Sequence, residues 1–351
     1  MIIKNSVIYG VETKNNATIA LQDKSVTENG TYTADSGYDG LGTVTVNVSG
    51  GGDNEYDTWI FENISGQTAE LSFSGSYKNG SYSLDGGVTW INLPSNSDGW
   101  STTMNHKINF DNIVCVKYND VVRDYSIYMF SCNKSYNLSG DLYKSYKPYM
   151  YSCALDLNSN LIDASGLVFH GDTAGFHSLD RMFNGCRALT TTPAILPATK
   201  LWNYCYNSMF INCNSLTTAP AILPATTLVN SCYSNMFQGC KSLTTAPELP
   251  ATTLAEGCYQ AMFSGCTSLT TAPALPATTL APYCYGEMFN GCTNLNKVTT
   301  YAQDISAYYC LNYWLNRVAA QGNFYNLGNP APTYPSGGSG IPTGWAEHTS
   351  L

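Results

Sequence analysis

Charged side chains are scarce in this 351-residue chain. They make up 12% of the residues, with 25 acidic against 16 basic side chains and a net charge of −9. An ordinary globular protein carries about 25% charged residues. The chain therefore lacks the clustered lysine and arginine that phosphate neutralisation requires, and we expect no nucleic-acid partner.

Long hydrophobic runs are also missing. Every apolar stretch is only a few residues long, far from the ~20 residues that a membrane-spanning helix needs, so we expect no membrane insertion. Residues 1–10 contain one lysine and no apolar run of the kind found in a secretory signal. With no signal peptide recognised there, we expect the protein to fold in the cytoplasm.

Groups that carry catalysis are sparse as well. Between residues 182 and 300 the carboxylates are limited to Glu248, Glu256 and Glu287. Paired carboxylates, a nucleophile elbow and a phosphate-binding glycine loop do not stand out in the sequence. We therefore expect a protein that is not an enzyme and that needs no cofactor.

What the chain does contain is enough apolar residues for a core, at 44% hydrophobic and 13% aromatic residues, which excludes general disorder.

Its thirteen cysteines are too few for a disulfide scaffold of this length. Ten of them form two registers with a spacing of 26 or 27 residues: Cys186, Cys213, Cys240, Cys266 and Cys292, and Cys205, Cys232, Cys258, Cys284 and Cys310. They contain no CxxC pair and the chain has only four histidines, so we predict buried thiols and no zinc site.

These registers belong to an internal repeat that contains Met-Phe, Gly-Cys, Ser-Leu-Thr-Thr-Ala-Pro and Leu-Pro-Ala-Thr. A period of 26–27 residues lies within the range of leucine-rich repeats. In one half of the unit, Leu201, Cys205, Met209 and Cys213 are spaced 4-4-4, which predicts a short helix. Gly239, and Asn212 in the preceding unit, predict a positive φ at the end of that helix. The Ser-Leu-Thr-Thr-Ala half predicts a short strand that stacks into a narrow sheet.

The repeat also places threonines and tyrosines at equivalent positions of successive units, so that each set forms a column along the stack. Paired threonines present hydroxyl groups at a constant spacing and are candidate ligand-facing residues, although exposed threonine is also ordinary in strands. They are Thr190, Thr217, Thr244 and Thr270, and Thr191, Thr218, Thr245 and Thr271. A tyrosine follows each cysteine of the second register, at Tyr206, Tyr233, Tyr259 and Tyr285. These rings suit either sugar stacking or the edge of the core, and we favour the core edge.

The segment from Ser83 to Trp90 fits the pattern SxDxGxTW, which resembles the Asp-box of sialidase-like proteins. In that motif the aspartate binds the backbone of a turn and the tryptophan packs beneath it. A single copy in a chain with four arginines favours a structural role for Asp85 and Trp90 over glycosidase chemistry.

The fold class predicted is mainly β with short helices. N-terminal β modules are followed by a leucine-rich-repeat solenoid and a C-terminal cap. The domains expected are a β anchor module at 1–48, a Gly-rich linker at 49–54, a β domain that caps the solenoid at 55–128, the solenoid at 129–315 with regular units from about 160, and a cap and tail at 316–351.

The repeats resemble a known family. Units of the form Met-Phe-Xxx-Gly-Cys-Xxx-Ser-Leu, followed by Leu-Pro, resemble the BspA-like leucine-rich repeats of gut bacterial surface proteins and of phages that infect these bacteria. The resemblance covers roughly 80–351, including the flanking pieces at 81–90 and 340–345. Residues 8–10 and 26–48 are similar to small modules at the front of phage tail and fibre proteins.

The resemblance implies a structural protein on the virion surface, a tail or capsid (head) fibre or decoration protein. It would join other virion proteins through residues 1–48 and expose its solenoid to a host-surface glycan or protein. A homotrimer is the state that fibres of this kind imply. The alternatives are a bacterial cell-surface BspA-like adhesin and, third, a solenoid enzyme that acts on glycans. The neighbouring genes would separate the first two.

Overall fold

The structure is a computed structural model. It describes residues 56–351 except 74–75, 79, 94–105, 119, 123–129 and 144, and within residues 1–55 it describes only the backbone of four short strands. The chain divides into two compact units, Met1–Glu55 and Tyr56–Leu351. The β domain expected before the solenoid and the solenoid itself thus belong to one unit.

The first unit contains two antiparallel strand pairs. Strands β1 and β2 pair with each other, and β3 pairs with β4 so that Gly30 lies opposite Val46. A β module was expected at 1–48, and the alternating Thr-Val run within it forms β4. The predicted linker at 49–54 lies outside the described residues. The bounds are β1 Ile3–Lys4, β2 Val7–Ile8, β3 Gly30–Thr33 and β4 Thr43–Val46.

The second unit opens with antiparallel sheets built on β5 and β6. The strands up to the first coil are β5 Asp57–Asn63, β6 Ala69–Phe73, β7 Ser76–Lys78, β8 Ser81–Ser83, β9 Ile91–Asn92, β10 His106–Phe110, β11 Ile113–Tyr118, β12 Asp120–Val122, β13 Phe130–Cys132, β14 Tyr136–Leu142 and β15 Leu161–Phe169. The main sheet has the order β15-β14-β5-β11-β8-β9, and a second sheet has the order β10-β6-β13. Strand β14 pairs with β15 in parallel, whereas its other neighbour β5 is antiparallel. The parallel pairing therefore begins at the edge of the main sheet.

An aromatic cluster joins these sheets to the first coil. Alternate residues of β5 are buried, as a period of two requires for a strand with one covered face. Trp59 from β5 lies 4.8 Å from the ring of Phe130 and 6.0 Å from the ring of Tyr151 in the first coil. Its Nε1–H donates to the hydroxyl of Tyr118 at 2.8 Å. The sheet and the first coil consequently share one core.

The rest of the unit is a β-solenoid of about eight turns, each of about 26 residues. Few of its residues form extended strands, and the coils meet mainly through single parallel bridges such as Thr191 with Thr218 and Thr271 with Lys297. The predicted narrow sheet is thus reduced to isolated pairings. The remaining strands are β16 Thr173–Ala174, β17 Lys200–Leu201, β18 Lys297–Thr300, β19 Gly322–Asn326 and β20 Trp345–His348.

The prediction of short helices is wrong, because none of the described residues is helical. In the segment spaced 4-4-4, every second N–H donates to a carbonyl of the following coil, as from Tyr204 to Asn230 at 3.1 Å. The N–H groups between them bond three residues back, as from Cys205 to Trp202 at 3.2 Å. The segment is a ladder of four-residue turns. Its period of four places Cys205 and Met209 on one side, and this imitates the i, i+4 pattern of a helix.

Each turn of the ladder contains a residue with a positive φ. The predicted positions at Gly239 and Asn212 are confirmed, with φ of 75° and 60°. They are only the last of three in each coil: Tyr149, Cys153 and Leu157; His177, Arg181 and Gly185; Tyr204, Ser208 and Asn212; Ser231, Asn235 and Gly239; Gly257, Ala261 and Gly265; Tyr283, Glu287 and Gly291; Tyr309, Tyr313 and Arg317. A non-glycine residue in this region costs about 1–3 kcal/mol, which the hydrogen bonds between coils offset.

Equivalent side chains stack along the solenoid interior. Successive phenylalanine rings, beginning with Phe183 and Phe210, have centroids 5.2–5.7 Å apart and nearly parallel planes. Met209 and its equivalents are fully buried. Each such side chain contributes about 1.5–3 kcal/mol through burial. Because every coil supplies the same set, each coil is stabilised by its two neighbours.

The C-terminal segment continues the stack. Strands β18, β19 and β20 pair in parallel, so the coils extend through His348. Trp314 lies under the end of the tyrosine column, 6.4 Å from Tyr285, and its Nε1–H donates to the carbonyl of Gly340 at 3.0 Å. Large rings thus cover the last regular coil.

Candidate functional site

The threonine columns lie together on one side of the solenoid. Thr190 and Thr191 are half-buried, and the other six are exposed. At the N-terminal end their hydroxyls bind the preceding coil, since Thr190 Oγ1 donates to the carbonyl of Ile162 at 2.9 Å and Thr217 Oγ1 donates to that of Thr190 at 3.1 Å. The exposed members at Thr244, Thr245 and beyond form a row of hydroxyls. A ligand for that row remains a prediction.

The tyrosines that follow the second cysteine register lie inside the protein. Tyr206, Tyr233, Tyr259 and Tyr285 are at most 2% exposed, and their rings stack at 5.5–6.1 Å. They form part of the core, as we favoured, and do not face a ligand. Burial raises the pKa of each hydroxyl well above its ordinary value of 10.

The ten cysteines of the two registers are all buried as free thiols. In the first register each thiol donates to a backbone carbonyl of the preceding coil, as Cys213 Sγ does to Phe183 at 3.1 Å and Cys240 Sγ does to Phe210 at 3.1 Å. Burial raises the pKa of Cys205 and of Cys292 to about 12. The thiols are therefore protonated at neutral pH, and those of the first register connect adjacent coils by donating these hydrogen bonds.

The motif at 83–90 forms a closed turn. Ser83 Oγ donates to the carboxylate of Asp85 at 2.6 Å, and the Thr89 N–H donates to the same carboxylate at 2.8 Å. The Ser83 and Thr89 hydrogen bonds lower the pKa of Asp85 to about 2. Trp90 donates its Nε1–H to the carbonyl of Gly87 at 2.9 Å, and the Lys117 ammonium lies 3.8 Å from its ring centre. The side chains of Asp85 and Trp90 therefore form their hydrogen bonds within the turn itself.

Two histidine–aspartate pairs were not anticipated from the sequence. His170 Nε2 lies 2.9 Å from Asp141 Oδ1, and His177 Nδ1 lies 2.9 Å from Asp180 Oδ2. Burial raises the pKa of Asp180, while its hydrogen bond to His177 opposes that shift. The pairs lie in different coils, and each histidine is also stacked on tyrosine, at 4.3 Å for His170 on Tyr143.

An aromatic column, half-buried at Tyr149, His177 and Tyr283 and exposed at Tyr204 and Tyr309, was also missed. It occupies the first left-handed position of each coil, and its rings at Tyr149, His177 and Tyr204 stack at 5.2 and 4.7 Å. The column continues at Ser231, Gly257, Tyr283 and Tyr309. From Tyr204 onward its members are the residues that precede the cysteines of the second register. Aligning the repeats on those cysteines would have found them.

A shallow depression of about 420 Å³ opens elsewhere on the solenoid, beside the Leu-Pro segments of two coils. Pro247, Leu249, Pro250 and Pro273 line it together with Glu248. Its wall is mostly aliphatic and offers one ionisable group.

Within the described part of the chain, no group of three or more histidine, cysteine or acidic residues is placed to hold a metal ion. The same residues include no helix long and apolar enough to cross a membrane. Comparison of the chain with models of protein families, with curated proteins and with solved structures finds no match.

Proposed function

We propose that this chain is a non-enzymatic structural protein of a phage virion, a fibre or decoration protein of the tail or head. Its first unit attaches it to other virion proteins through residues 1–48, and its solenoid is exposed on the particle and binds a host-surface ligand. We also propose that the solenoid consists of BspA-like leucine-rich repeats. This assignment rests on the repeated Met-Phe-Xxx-Gly-Cys-Xxx-Ser-Leu units.

The observation that carries the proposal is the difference between the buried and the exposed positions of each coil. The side chains of the interior, such as Cys205, Met209 and Phe210, repeat almost unchanged and are fully buried. The exposed positions carry hydroxyl groups and large rings, including Trp202 at 60% exposure and Tyr308 at 62%. A rigid stack that displays neutral polar and aromatic groups suits binding and display. Because fold alone does not imply function, these surface groups are what favours a binding role.

The cysteines support the phage over the exported adhesin. All thirteen are free, and twelve of them are buried. Reduced thiols persist in a reducing cytoplasm, whereas exported proteins fold under oxidising conditions. A phage structural protein folds in the host cytoplasm and leaves by lysis, which fits this set of thiols.

The experiment is to purify particles from a lysate of the phage that encodes the chain and to label them with an antibody against the solenoid. Electron microscopy should show label on tail or head, and mass spectrometry should detect the chain at a constant ratio to the major capsid protein. Label confined to the surface of uninfected bacteria would contradict the proposal and support the adhesin.

A further inference from the structure

We propose that the interruption of the aromatic column is a binding cleft for a neutral oligosaccharide. The inference rests on the proposed function and names the ligand of the exposed solenoid. The column loses its rings at only two successive coils, where Ser231 and Gly257 replace the aromatic residue. Tyr204 precedes this gap and Tyr283 follows it.

Backbone hydrogen bonds fix the order of these positions. The N–H of Tyr204 donates to the carbonyl of Asn230, and that of Ser231 donates to the carbonyl of Glu256. The N–H of Gly257 likewise donates to Pro282, at 2.9 Å. The two tyrosines are thus three coil steps apart, which is roughly 14 Å at the usual spacing of about 4.8 Å between paired strands.

A tyrosine borders the gap at each end. His177 stacks on one face of Tyr204 at 4.7 Å, so the opposite face is directed toward the coil that contains Ser231. Tyr283 contacts two rings of the following coil, Tyr308 in an edge arrangement at 5.5 Å and Tyr309 in a tilted one at 5.6 Å. Trp202, which is 60% exposed, lies two residues before Tyr204 in the same coil. The cleft therefore has an aromatic wall at each end.

The floor between the walls is polar. Asn230 and Glu256 are exposed and Ser231 is half-buried, so an amide, a carboxylate and a hydroxyl are accessible to a ligand. Gly257 itself is buried, and a Cβ there would lie 3.3 Å from Ser231 Oγ and 3.4 Å from Gln260 Oε1, so these two side chains border it.

Aromatic faces combined with nearby hydrogen-bonding side chains match the two kinds of surface on a pyranose. Its axial C–H groups pack on a ring, and its hydroxyls exchange hydrogen bonds with amides and carboxylates. Glu256 is the one charged side chain that we place on the floor, and it accepts hydrogen bonds from hydroxyls while it would repel an anionic sugar. These features select a neutral glycan over an acidic one.

The test is calorimetric titration of the full chain with neutral hexasaccharides of glucose, mannose, xylose and N-acetylglucosamine, with tryptophan fluorescence as a second signal from Trp202. At least one should bind. Tyr204→Ala and Tyr283→Ala should each weaken that binding about tenfold, the scale of one lost ring contact. Tyr313→Ala removes another exposed ring, outside the cleft, and should leave the affinity unchanged.

The decisive variant is Gly257→Tyr, which fills the cleft without removing any ring. Its φ of 60° matches the 60° of Tyr204 and the 56° of Tyr283, so the backbone already accepts tyrosine in this column. We expect a folded protein, checked by its thermal transition, that no longer binds. If Gly257→Tyr unfolds, Ser231→Tyr serves the same purpose at the neighbouring rung.

Two outcomes would overturn the inference: no hexasaccharide binds at millimolar concentration, or binding persists in the filled variants. Loss of binding in Thr245→Ala with retention in Gly257→Tyr would move the site to the threonine row. A chain that is present on particles but binds none of these sugars would refute this inference alone. A chain that binds them but is absent from particles would refute the proposed function alone.

Discussion

Gly265 offers a direct test of the turn ladder, because its substitution changes backbone strain with little change in contacts. The residue has a φ of 75° and ends the ladder of its coil. A Cβ built there would meet Gly239 Cα at 3.7 Å, an ordinary van der Waals distance. A side chain at this position is therefore limited by conformation and not by collision.

The magnitude follows from the left-handed φ. A β-branched residue is a strong outlier there and should cost about 1–3 kcal/mol. Gly265→Val should then accelerate local opening of this coil by roughly 5- to 150-fold. Gly265→Asn should be nearly neutral, since Asn212 occupies the equivalent position with a φ of 60° and asparagine tolerates this region.

Hydrogen exchange followed by mass spectrometry measures this difference peptide by peptide. Faster exchange should appear across residues 250–280 in the valine variant and leave β5 and β11 unchanged, because each coil contacts only its neighbours. Equal protection in the valine and asparagine variants would refute the reasoning. A matched check is Gly239→Asn, whose Cβ would lie 2.6 Å from Asn212 Oδ1, so it should be less stable than Gly265→Asn.

Three other predictions concern the whole chain. Alkylation of the native protein without reductant should modify few thiols, whereas unfolding should expose all thirteen; a mass that shows several disulfides would contradict both burial and cytoplasmic folding. Burial raises the pKa of Cys205 from 9.0 to about 12, so above pH 9 the unfolded chain releases this proton first. The free energy of unfolding should hold below pH 9 and then fall by up to about 1.4 kcal/mol per pH unit for each such thiol; urea titrations that show no loss of stability between pH 8 and pH 11 would contradict this. A chain beginning at Tyr56 should keep the thermal transition of the solenoid but fail to enter particles, and its incorporation would place the attachment surface elsewhere.

Much of the solenoid interior could be predicted from the repeat alone. The period of 26–27 residues placed Cys205, Cys213 and their equivalents in fixed registers, and all ten cysteines are buried. The β character of the region before the coils was also anticipated, since the β domain expected at 55–128 contains strands such as β11 at Ile113–Tyr118. Apolar residues at constant positions must face the same interior in every coil, and this requires no knowledge of the backbone path.

The candidate cleft could not be predicted in the same way. Thr217 and Tyr233 belong to columns that recur in every unit, whereas the cleft is made by residues that break the repeat. Ser231 and Gly257 matter only because Tyr204 and Tyr283 lie one rung beyond them. To predict that these residues are neighbours, one must know which residue of each coil lies above which residue of the next. The hydrogen bonds between coils determine this alignment.

The period, the buried registers and the positive φ at Gly239 and Asn212 could all be predicted from the repeat. The choice between a helix and a ladder of turns could not. Both conformations put Cys205, Met209 and Cys213 on one side, so a spacing of four residues does not separate them. In a helix each N–H finds its acceptor four residues back in its own chain segment. In the ladder the N–H of Tyr204 finds the carbonyl of Asn230, and that acceptor is in place only when the next coil is already stacked upon it.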